Sequence, residues 1–218
     1  MKPGPTIVYQ CPTCKKLVTN RSLYSGNTFG AKVYSDKKHI APMLPESPAI
    51  TICSDCKTIY WLNETNEIGE YDDVADNKIW NYAEKARFLT LKEYFMALDQ
   101  KVYTNPYDEF FIGNWILWCF NDRIRVPGKW SRFFGVPKVY TSEKEKTLWT
   151  ENNEKLISLL DLNDVNEKIM IAELSRNLGR FERCVELWNS IDDADVRWLK
   201  VLVLKECEKK NSNVFQIR

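Results

Sequence analysis

Residues 10–16 read QCPTCKK and residues 51–62 read TICSDCKTIYWL. Each stretch carries two cysteines three positions apart, Cys11 with Cys14 and Cys53 with Cys56, and 38 residues separate the pairs. A C-x2-C turn aims two thiolates at one point. Two such turns close a tetrahedron with metal–sulfur distances near ~2.3 Å and leave no position open, the pattern of a structural rather than a catalytic ion. The flanks agree. TIVYQ and KLV bracket the first pair, AITI and KTIYWL the second, so each turn joins β-prone segments. A redox C-x2-C is usually a single pair at the start of a helix.

The spacing therefore predicts a structural Zn²⁺ on Cys11, Cys14, Cys53 and Cys56; iron suits the same four-thiolate cage. Lys15, Lys16 and Lys57 follow the pairs directly and could offset the negative charge of four thiolates. CPTC and CSDC resemble the paired knuckles of zinc ribbons and rubredoxin-like domains. In those families a glycine often follows the second cysteine of a knuckle, where this chain has Lys15 and Lys57. Together with residues 23–48, LYSGNTFGAKVYSDKKHIAPMLPESP, the pattern is similar to an uncharacterised bacterial family. In that family a CPxC/CxxC ribbon precedes a helical, tetratricopeptide-like tail. The resemblance implies no established activity.

Working outward, the charge is uneven. Residues 1–62 carry eight Lys or Arg against three Asp or Glu, residues 63–88 three against seven, and the remainder twenty of each. The net charge of +1 excludes a global field that would drive the chain onto nucleic acid or membrane. A basic head, an acidic joint and a neutral body predict a metal-binding ribbon over 1–65, a linker or loop over 66–88 and a helical domain over 89–218. Between the knuckles, SGNTFG (25–30) reads as a plain turn and AKVYSDKKHIAP as a hairpin turning at Ser35–Lys38. His39, the only histidine, reads as a strand side chain. Pro42, Pro45 and Pro48 read as an extended strap.

The body shows cap signals. Thr90 with Glu93 starts a helix to about 99, Asn105-Pro106 a second over about 106–124, Ser142 with Glu145 a third over about 143–160, and Asp164 with Glu167 a fourth ended by Gly179. Two more follow over 181–191 and 194–210. The fourth and fifth, IAELSRNLGRFERCVELWNSI, look like the central half of one tetratricopeptide repeat; about three are needed for a continuous groove. The expected fold class is α+β: a small β-rich zinc ribbon followed by an all-α bundle ending in a tetratricopeptide-like hairpin.

Residues 121–140 interleave Arg123, Arg125, Lys129, Arg132 and Lys138 with Trp130, Phe133, Phe134 and Tyr140. Arg123, Arg125, Lys129, Trp130 and Arg132 are the candidates for gripping nucleic acid or a partner; the plainer reading is an interhelical loop whose aromatics plug the core. No motif singles out a catalytic pair. The functional expectation is a non-enzymatic adaptor that recognises another protein, with nucleic-acid binding as the alternative. MKPGPTIVYQ lacks the apolar core of a signal peptide, and FFIGNWILWCF (110–120) is too short to span a bilayer. Both point to the cytoplasm and away from membranes.

Overall fold

The computed structural model describes residues 1–72, 80, 82–125 and 137–218. A β-rich N-terminal region precedes six helices among these residues, an α+β arrangement. The chain forms two compact units, and their borders differ from those expected. One contains 1–31 and 40–102; the other contains 32–39 and 103–218. The helix over 91–99 thus belongs with the β region, and eight residues from between the knuckles belong with the helices.

In the first unit, β1 (Lys2–Gln10) and β2 (Leu17–Ser25) pair antiparallel, with Tyr9 opposite Val18 and Gln10 opposite Leu17. β7 (Glu67–Tyr71) adds antiparallel to the other side of β1, and β8 (Glu84–Lys85) adds parallel to β2. The sheet order is β7-β1-β2-β8. The expected acidic loop over 66–88 is therefore partly strand. Glu67, Glu70 and Glu84 are exposed, so the acidic residues sit on edge strands facing water, which also blunts those edges. β5 (Ile50–Ile52) and β6 (Ile59–Trp61) form a separate antiparallel hairpin, Ile50 opposite Trp61.

Tyr9, Cys11, Val18, Cys53 and Tyr60 make one small buried cluster, against which Ile7, Leu62 and Ala86 pack. The strap at 42–48 runs beside β2: Asn20 Nδ2 donates to Pro48 O at 3.0 Å and Ser47 Oγ to Arg21 O at 3.2 Å. α1 (Leu91–Asp99) begins at a complete capping box, Thr90 with Glu93, and buries Tyr94 and Ala97.

The second unit contains α2 (Pro106–Arg125), α3 (Glu143–Ser158), α4 (Val165–Asn177), α5 (Phe181–Asn189) and α6 (Arg197–Glu208). Ser142 and Asp164 accept from the backbone of Glu145 and Glu167, as the cap signals require. Ile112, Ile116, Leu117 and Phe120 are fully buried along α2. Gly113 lets α3 come close, since a Cβ there would stand 3.0 Å from Leu156 Cδ2. Gly179 takes φ +75 just past α4, where a left-handed residue turns the chain into α5. Ala172, Cys184, Leu187, Trp188 and Ile191 then join Val203 and Cys207 of α6 in one core. After this hairpin come a short 3-10 turn, Ala194–Val196, and the single helix α6.

The hairpin turn expected at Ser35–Lys38 is present between two short strands, β3 (Lys32–Val33) and β4 (His39–Ile40). Tyr34 N donates to Lys38 O at 3.0 Å, and Lys37 adopts φ +62. Three of its four polar side chains are not surface groups, however; only Lys37 is exposed. Asp36 is completely buried, Ser35 and Lys38 nearly so. Asp36 accepts from Asn121 Nδ2 at 2.7 Å and from Arg125 Nη1 at 2.5 Å. Ser35 Oγ donates to Glu173 Oε1 at 2.7 Å, and Glu173 in turn takes Arg176 Nη2 at 2.6 Å. Lys38 Nζ pairs with Asp122 at 2.8 Å and lies over the rings of Trp115 and Trp118. Every charge here has a partner, the condition under which burial is tolerated.

Candidate metal centre

The two C-x2-C stretches fold alike. The first fills the turn from β1 to β2, the second the turn from β5 to β6. Cys11 N donates to Lys16 O at 2.8 Å and Lys15 N to Cys11 O at 3.1 Å. Cys53 N donates to Thr58 O at 2.9 Å and Lys57 N to Cys53 O at 3.2 Å. Lys15 and Lys57 adopt left-handed backbone, φ +67 and +62. The position that ribbon knuckles often give to glycine thus keeps the glycine conformation with a lysine in it. Each lysine also donates into its own turn, Lys15 Nζ to Pro12 O at 3.2 Å and Lys57 Nζ to Ser54 O at 2.5 Å.

The four sulfurs converge. Cys11 Sγ lies 3.6 Å from Cys56 Sγ, and Cys14 Sγ lies 3.4 Å from Cys53 Sγ. All four sit within 4.8 Å of one another. A tetrahedral ion at ~2.3 Å from each sulfur would space them about 3.8 Å apart, so the cluster could hold a metal ion. The first cysteine of each knuckle is buried, and the second, Cys14 or Cys56, is exposed.

The surroundings set the thiol chemistry. Burial pushes Cys53 up to about 12 and raises Cys11 as well. Cys56 is drawn down to about 6, first by the Thr58 hydroxyl and then by the Thr58 backbone. Thr58 Oγ1 lies 3.2 Å from Cys56 Sγ and 3.1 Å from Thr13 Oγ1, so one hydroxyl links the knuckles. A four-thiolate cage needs both buried cysteines deprotonated. Burial alone opposes that, and a bound cation reverses it. Lys16 provides a second link: its Nζ reaches Asp55 at 3.4 Å in the other knuckle and Glu84 at 3.2 Å in β8. Of the three lysines expected to offset thiolate charge, Lys16 is engaged by carboxylates, while Lys15 and Lys57 are tied to knuckle carbonyls.

The basic-aromatic candidates divide. The Arg125 side chain is fully buried, held by Asp36 and, at 2.8 Å, by Asp122. Arg123 is bound by both carboxylate oxygens of Glu145 at 2.8 and 2.9 Å. Lys129, Trp130 and Arg132 lie outside the described residues. His39 is an exposed residue of β4. The loop at 25–30 is a plain turn, with Asn27 Oδ1 accepting from Phe29 N at 3.0 Å.

Sequence reasoning missed the buried Ser35–Lys38 cluster. Its partners lie 82 to 180 residues away in the chain, and only the local polar turn is visible in one dimension. Among the described residues no helix is long and apolar enough to cross a membrane. No protein-family model, no curated protein and no solved structure matches the chain. The likeness to ribbon knuckles therefore rests on the two turns themselves.

Proposed function

We propose that the chain is a non-catalytic binding protein. In this reading its β unit is stapled by one structural zinc ion on Cys11, Cys14, Cys53 and Cys56, and its helical unit recognises another protein. The convergence of four sulfurs within 4.8 Å carries the reading. Four thiolates satisfy a tetrahedral ion completely and leave it no site for water or substrate, which is what a staple needs and a catalytic centre lacks. Unpaired thiols at all seven cysteines suit a reducing compartment, in keeping with the cytoplasm.

Partner recognition is read from the helical unit. Trp198 and Val201 of α6 are half or more exposed, and Leu202 accompanies them. α6 follows the hairpin that resembles a tetratricopeptide unit, and large apolar side chains left exposed on a helix favour a protein partner. Nucleic-acid binding ranks second, because Arg123 and Arg125 are already spent on Glu145 and Asp36.

A tagged pull-down of the full chain from its native host, with and without nuclease, tests the reading alongside elemental analysis of the same sample. The expected result is a nuclease-resistant protein partner and one zinc per chain. Recovered nucleic acid that vanishes with nuclease, or iron in place of zinc, would overturn it.

A further inference from the structure

We propose that the four thiols form a second, metal-free staple on oxidation, with disulfides Cys11–Cys56 and Cys14–Cys53. The resting state assumed here rests on the metal-centre reading above, but the pairing follows from the sulfur positions. Two short separations, 3.6 and 3.4 Å, run between the knuckles, in a cluster whose four sulfurs all lie within 4.8 Å of one another. Together they use each sulfur once, so both bonds can form in the same molecule. Each also couples an exposed thiol to a buried one, Cys56 to Cys11 and Cys14 to Cys53. The exposed sulfur can meet an oxidant in solution. The buried sulfur is already placed to resolve what forms there.

The chemistry balances with a hydroperoxide as oxidant. An exposed thiolate attacks the peroxide oxygen, the O–O bond breaks, and the leaving oxygen departs as water or an alcohol after taking a proton. The buried thiolate then attacks the sulfenic sulfur; the S–S bond forms, the S–O bond breaks, and the hydroxyl leaves as a second water with one more proton. Each pair loses two electrons and each peroxide gains two. The four sulfurs would thereby cease to be ligands, and a divalent ion they had held would be released with its charge unchanged.

The consequence separates this centre from a switch that opens on oxidation. A disulfide inside either knuckle would leave the β1–β2 and β5–β6 turns untied. Bonds across the knuckles join those turns as the ion does, closing chain spans of 45 and 39 residues. The β unit then keeps its fold when it loses its metal to an oxidant.

The test treats the metal-loaded full-length chain with hydrogen peroxide, reads released metal with a chromogenic chelator, and maps disulfides by peptide mass spectrometry without reduction. We expect Cys11–Cys56 and Cys14–Cys53, two bonds for each ion released. Disulfides Cys11–Cys14 and Cys53–Cys56, the pairing Cys11–Cys53 with Cys14–Cys56, or sulfinic acids without cross-links would overturn the proposal. Cys56→Ser should retain Cys14–Cys53 and leave Cys11 reduced; a Cys11 cross-link to either remaining knuckle cysteine would also overturn it. Metal-free starting protein would instead contradict the metal reading, and the disulfide map would still decide the pairing.

Discussion

The β unit and the helical unit solve the same problem with different means. Each buries groups that water would otherwise solvate. In the β unit these are the Cys11 and Cys53 thiols, set in a small cluster with Tyr9, Val18 and Tyr60. On the reading proposed above, their partner is an ion that the chain must acquire. In the helical unit they are Asp36, Arg125, Glu173 and Arg176, whose partners the chain supplies itself. The first unit is therefore conditional on its surroundings, while the second is fixed once the chain folds. A small core with few buried apolar side chains gains most from such a staple.

The largest expected effect comes from Cys53→Ser. Structural four-ligand zinc sites contribute about 10–16 kcal/mol of binding free energy that is also folding free energy. The variant should lose its metal and the β unit's cooperative unfolding, while the helical signal in circular dichroism persists. A variant that keeps metal and melting behaviour would erase the contrast between the units. Next is Asp36→Ala, which takes one of two carboxylates from the buried Arg125 side chain and leaves it Asp122 alone. Removing one partner of a buried pair costs about 3–5 kcal/mol. Denaturant unfolding should show that loss in the helical transition, with metal content unchanged.

Thr58→Val sharpens the picture inside the metal centre. It removes the hydroxyl beside Cys56 Sγ, and changes to such supporting partners typically weaken metal affinity by about 10–100-fold. Competition against a chromogenic chelator would measure this; an unchanged affinity would mean that Thr58 only packs.

Besides releasing any ion held by the thiolates of the β unit, acid should act on one paired carboxylate in each unit. Arg87 in the β unit holds Glu93 down to about 2, and Arg123 in the helical unit holds Glu145 down to about 2, both from 4.5. A depressed carboxyl pKa gives stability that is complete above about 4.5 and is lost as pH falls through that value toward 2. Melting temperature followed from pH 6 to 2.5 should decline in that window. Arg123→Met should flatten the helical part of the decline.

The smallest effect is expected for Lys15→Gly or Lys57→Gly. Relief of the left-handed backbone is worth about 1 kcal/mol, partly offset by the greater chain entropy of glycine. A denaturant midpoint shifted upward by the equivalent of less than about 1 kcal/mol of unfolding free energy fits. A marked loss would mean that the lysine bonds to Pro12 O and Ser54 O matter more than the strain.

The knuckles and the helix starts were legible in the sequence because both are local. Two cysteines three apart, or Thr90 three before Glu93, bring their own geometry. The edge strand Glu67–Tyr71 was obscured because an acidic composition hides a strand whose outward residues face water. The Ser35–Lys38 cluster was not legible for a deeper reason. A polar turn looks the same whether water or Arg125 and Glu173 satisfy it, and only the tertiary fold decides. The same holds for Arg123 and Arg125, which read as binding residues in a basic-aromatic run and are spent on internal carboxylates.

X-ray absorption at the metal edge of the purified full-length chain reads the ion and its ligands themselves. The account predicts a zinc edge with a single shell of four sulfurs near ~2.3 Å and no lighter ligand. A shell containing nitrogen or oxygen, fewer than four sulfurs, or no bound metal would contradict it.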